Sequence, residues 1–104
     1  MFDITENDVK TVYDLLKDRY ELNLTNTTAL DEGFTIDCAI LVGKAHGQII
    51  QLYEYDGDFV LDVMDEARSQ GTHWHPLDIE SAVMDITEFM EGKQDYSLDP
   101  FLTK

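Results

Sequence analysis

His73-Trp74-His75-Pro76 is the stretch of this chain whose residue types come nearest to chemistry. Two imidazoles one residue apart are metal ligands in principle, with Asp78, His46 or a strand-end aspartate completing the set. A metal held there would serve a small metal-dependent hydrolase built on the His73–Asp78 loop. Against that reading, an extended segment is taken here to send the two rings to opposite sides, and no His-Glu-x-x-His or paired-cysteine spacing accompanies them. In the competing reading, Trp74 plugs one end of a core while the histidines cap a helix or meet solvent. The expectation is that no metal and no other cofactor is held.

The remaining reactive types point the same way. Cys38 would need a base and exposure to act as a nucleophile, yet it stands mid-strand between Ile36 and Ile40 and reads as a small buried residue. Asp56, Asp58, Asp62, Asp65 and Glu66 form the densest acidic group, but they lack the spacing, the central glycine and the closing glutamate of a calcium loop. There is no phosphate-binding loop, nucleophile elbow or dinucleotide fingerprint. The balance falls against an enzyme.

Charge says more than any motif. The 104 residues hold 22 Asp and Glu against 7 Lys and Arg, a net charge of −15. A folded chain of this mass exposes roughly 6,000 Å², or about one uncompensated negative charge per 400 Å². Such a surface repels nucleic acid and anionic membrane and attracts a basic protein. With a single cysteine, no internal disulfide forms, and a reducing cytoplasmic setting is the simple expectation. No apolar run reaches the length of a membrane span.

The elements that would position these residues read as α+β, a two-layer α-β-β-β-α arrangement with both helices packed on one face of a three-stranded antiparallel meander. One domain over residues 1–93 is expected, with 94–104 as an extended or disordered tail. The first helix is predicted over 6–21. Thr5 and Asp8 form an approximate capping box, Ile4 and Val9 the staple, and Val9, Val12, Tyr13, Leu16 and Tyr20 the apolar face. Residues 22–33 read as a short edge strand at most, then loop. Period-two alternation starts at Phe34. A five-residue turn, Gly43 to Gly47, leads to a strand over 48–55. The Asp56-Gly57 turn leads to another from Asp58 to about Met64. That register pairs Tyr55 with Asp58, Tyr53 with Val60, Val42 with Gln48, Leu52 with both Leu61 and Cys38, and Ile50 with both Val63 and Ile40. It directs Phe34, Ile36, Cys38, Ile40, Val42, Ile50, Leu52, Phe59, Leu61 and Val63 to the core. Residues 65–76 read as a connection. A second helix starts at Pro76 or Asp78, presents Ile79, Ala82, Val83, Ile86 and Met90 with Phe89 beside them, and stops at Gly92.

The sheet face away from the helices would then carry Ala39, Leu41, Ile49, Tyr53, Tyr55, Val60 and Met64 among Thr35, Asp37, Gln51, Asp58 and Asp62. Neighbouring tyrosines and carboxylates suit a basic surface. Tyr53, Tyr55, Asp37, Asp58 and Asp62 are the candidate partner-binding residues, with Trp74, His73 and His75 as a competing patch beside Asp78. The alternative is that the tail or a twin subunit, making a homodimer, covers this face. In composition, size and element order the chain resembles small acidic bacterial immunity proteins and toxin inhibitors. That likeness implies a non-enzymatic protein that sequesters a basic partner. Its first helix and sheet also resemble secretion-type chaperones, which would make it a dimer that holds an extended segment. No further strands or final helix of that kind are read.

Overall fold

The computed structural model describes residues 3–29, 35–65 and 71–92. Helix α1 (Glu6–Leu16) begins at the predicted cap, where the Asp8 carboxylate accepts from the Thr5 N–H at 2.8 Å and from its hydroxyl at 3.3 Å. It ends five residues before the predicted boundary. The amides of Arg19 and Tyr20 both return to the Leu16 carbonyl, which closes the helix in a turn. Tyr20 packs against the core and donates its hydroxyl to the Glu91 carboxylate, a tertiary contact that frees the chain to enter a strand at Leu22.

The sheet has five antiparallel strands, not three, in the order β1 (Leu22–Ala29), β2 (Thr35–Ala45), β3 (Gln48–Tyr55), β4 (Asp58–Asp65) and β5 (Gly71–Trp74). The β1 strand takes in Asn26, Thr27 and Thr28, whose side chains read as loop. Pairing with β2 overrides that local preference. Likewise β5 falls inside the segment read as a connection and adds an edge to β4, with His73 opposite Asp62 and Trp74 opposite Leu61.

The β3–β4 register is the predicted one, with Tyr55 opposite Asp58, Leu52 opposite Leu61 and Ile50 opposite Val63. Asp56 and Gly57 both have positive φ, 55° and 84°, as a type I′ turn requires. The β2–β3 register is different from the predicted one. The turn is the two residues His46 and Gly47, at φ 59° and 76°, rather than five. Histidine is among the few residue types enriched in that left-handed region, and the His46 ring lies edge-on to Phe89 at 6.2 Å. Leu41 therefore faces Leu52 and Val42 faces Gln51, where Val42 opposite Gln48 was expected. The displacement is three residues. An odd displacement exchanges the two faces of a strand, so Ala39 and Leu41 enter the core while Ile40 and Val42, with Cys38, go to the other side. The side chains of residues 34–37 lie outside the described residues.

A β-bulge interrupts β2 as well. Thr25 pairs with Ile40 but Thr27 with Asp37, so Cys38 and Ala39 stand together against Asn26. The Ala39 N–H turns to α1, where Glu6 Oε2 accepts it at 2.6 Å.

Helix α2 (Ile79–Met90) is capped by Asp78, whose side chain accepts from the Ser81 N–H at 2.8 Å, and it ends at Gly92 with φ 70°. Both helices pack on one face of the sheet. Val9, Val12, Leu16, Ala82, Ile86 and Phe89 meet Ala39, Leu41, Ile50, Leu52, Phe59, Leu61 and Val63 in one core. The α+β two-layer plan therefore stands, on a wider sheet than predicted. The expected tail, 94–104, lies outside the described residues.

Candidate functional site

Four of the eight candidate residues meet on the helix-free face. The β3–β4 and β4–β5 registers place Tyr53 diagonal to Asp62, and Asp62 directly opposite His73. Tyr53 hydrogen-bonds Asp62. Burial, then the Asp62 charge and that bond, push the phenol up to about 12. Burial also raises the Asp62 carboxyl, against the opposing pull of His73, the Tyr53 bond and His75. His73 and His75 lie on the same side, ring centroids 5.9 Å apart and nearly perpendicular. The expectation that an extended segment would part them was wrong, because side chains two positions apart in extended chain point to the same side, here continued one residue past the end of β5. His75 Nδ1 lies 2.9 Å from the Phe59 carbonyl. Of the candidates to complete the set, Asp78 is instead bonded at the start of α2 and His46 lies in the β2–β3 turn against Phe89. Among the described residues, no group of three or more His, Cys, Asp or Glu is placed to hold a metal ion.

Trp74 is separated from the histidines by the sheet itself. It packs on the helix side against the core, and its Nε1–H donates to Asp85 of α2 at 2.8 Å. This is the plugging role of the competing reading. Asp37 pairs with Thr27 across the β1–β2 ladder, and its side chain lies outside the described residues.

The helix-free face is occluded at its centre. Ile40, Ile49, Gln51, Tyr53 and Val60 are buried, Tyr53 being 7% exposed. Ile40, Tyr53 and Val60 form a second apolar cluster that Cys38 and Val42 join. Cys38 is thus partly buried as expected, but on the opposite side of the sheet from the one predicted. Cover by residues 94–104 lies outside the described residues.

Tyr55 and Asp58 form a different site at the end of the molecule, as the last pair before the β3–β4 turn. Tyr55 is 66% exposed and Asp58 is exposed beside it. The Gly57 N–H donates to Glu54 Oε2 at 2.8 Å, which holds the turn. The Gly57 carbonyl accepts from the Ile4 N–H at 2.8 Å and so draws the start of α1 to this end. The antiparallel order brings β5 out at the same end, and Leu77 follows there with 86% of its surface exposed.

Between the two helix starts runs an open groove of about 790 Å³. Ile4, Leu77 and Ile79 supply its apolar surface, and Asp3, Asp8, Asp78 and Glu80 its charge. Sequence reasoning found both helix starts but not the groove. Nothing local to residues 3–8 or 77–80 reports that two elements seventy positions apart begin side by side.

No family model, curated protein or solved structure matches the chain.

Proposed function

We propose that this protein is a non-enzymatic acidic binding domain that sequesters a basic protein, in the manner of an immunity protein or inhibitor. One observation carries the reading: the exposed apolar side chains Tyr55 and Leu77 sit at an end of the molecule that also carries Asp3, Asp8, Asp58, Asp78 and Glu80. The segments that converge there, 3–9, 54–60 and 73–80, contain no Lys or Arg. The ion pairs found among the described residues, Asp14–Lys17 at 3.3 Å and Arg19–Glu91 at 3.8 Å, do not involve the carboxylates of this end. A negative field steers a cationic partner to the acidic end, and Tyr55 and Leu77 then supply contact area. The buried position of Tyr53 moves the weight of the reading from the sheet face to the hairpin tip.

Capture of binding proteins from the native host, followed by association kinetics on the identified partner, tests this. The expected partner is basic, and its association rate falls by roughly 10-fold or more from low to high salt while dissociation changes little. Capture of neutral or acidic proteins alone overturns the reading.

A further inference from the structure

We infer that the groove between the starts of α1 and α2 receives one extended segment of the basic partner, a segment in which a Lys or Arg stands next to an aliphatic side chain. This inference rests on the reading above and names its docking surface.

The groove has two parts with separate requirements. Its apolar part, Ile4, Leu77 and Ile79, includes the most exposed large hydrophobic residue described, and an aliphatic side chain laid there removes both surfaces from water. Its charged part divides by what each carboxylate already does. Asp8 accepts from Thr5, and Asp78 accepts from Ser81, so these two compensate the positive ends of their own helices. Asp3 and Glu80 take part in no hydrogen bond or ion pair among the described residues and line the same groove. Two spare carboxylates beside an apolar strip match a cation carried on a methylene stem, since Lys and Arg lay the stem on apolar surface while the head reaches the charge. A free divalent ion is a poorer match, because no described cluster of acids is placed to coordinate one. Tyr55 is not among the groove's lining residues; it stands two residues before Gly57, whose carbonyl accepts from the Ile4 N–H, and would extend the contact without forming part of it.

The test is an NMR titration of the full chain, ¹⁵N-labelled, at low salt. One probe is a capped peptide alternating Lys and Leu, and the other an equally charged peptide alternating Lys and Ser. The Lys-Leu peptide is expected to shift the amides of Ile4, Thr5, Leu77 and Ile79 and to saturate. Leu77→Ser, and separately Asp3→Asn with Glu80→Gln, are expected to weaken it roughly 10-fold each. The exposure of these side chains keeps the fold intact, and an unchanged melting temperature checks that. The Lys-Ser peptide is expected to bind at least that much more weakly. Shifts centred on Tyr55 and Asp58, equal binding of the two peptides, or unchanged binding by Leu77→Ser overturns the groove while leaving the basic-partner reading in place. If neither peptide binds, the groove is overturned, and the capture experiment alone then decides the wider reading.

Discussion

Glu6 shows how a single side chain can anchor an irregularity. The bulge at Cys38 and Ala39 breaks the β1–β2 ladder, and an N–H freed there in a buried strand must find another acceptor. The Glu6 carboxylate, carried on the first turn of α1, is that acceptor. Glu6→Ala should therefore lower stability by about 1 kcal/mol and speed hydrogen exchange at the Ala39 amide more than at its neighbours. Unchanged protection at Ala39 would refute the role. Asp62 supplies a second residue-level expectation. Its folded pKa is raised, chiefly by burial, so the folded state favours the neutral acid. The stability this contributes is present below the ordinary carboxylate range and is lost as pH rises through the folded value. Asp62→Asn keeps an acceptor for the Tyr53 hydroxyl and removes the charge. It should raise the melting temperature at neutral pH, give no gain at acid pH, and let the Tyr53 phenol titrate below its present value of about 12. A variant less stable at neutral pH than wild type would contradict this.

Among the elements, the β2–β3 hairpin teaches most. The expected turn enclosed Gly43 in a loop, where any small side chain fits. In the structure Gly43 is a strand residue opposite Ile50, and a Cβ there would stand 2.7 Å from Leu22 Cδ2, 3.3 Å from Ile50 Cγ2 and 3.4 Å from Met90 Sδ. Gly43→Val should cost about 1–3 kcal/mol through overpacking, measured by chemical denaturation. A neutral result would favour the longer turn. Both hairpins are built on dipeptides with positive φ, but only one could be recognised. Asp-Gly is a strong turn signal, whereas His46-Gly47 sits in a run with a second glycine that offered a competing loop. The β5 strand was hidden for a related reason: four residues are too few to show a period, and its pairing with β4 is decided by Leu61 and Trp74 meeting in the core.

At the scale of the whole molecule, charge opposes compactness. The described ion pairs lie on exposed side chains, where such pairs contribute little, so most of the net charge of −15 is left to repel itself. Added salt screens that repulsion. The melting temperature should rise by roughly 5 °C between low and moderate sodium chloride, which corresponds to about 1 kcal/mol for a domain of this size. A flat or falling dependence would show that the acids are neutralised in some other way. The same salt should weaken partner association, so stability and binding are expected to move in opposite directions.

From the sequence alone came the features whose causes are local: both helix starts, the buried faces of the helices, the Asp56-Gly57 hairpin with its register, and the acidic surface. Their signals lie within a turn or two of the residues they govern. The tertiary structure alone decided which side of the sheet β2 presents, the pairing of β1 and β5, the meeting of Tyr53 with Asp62 and His73, and the groove between the helices. Each of these depends on partners far along the chain, and in a strand a displacement of one or three residues exchanges inside for outside without altering the local pattern.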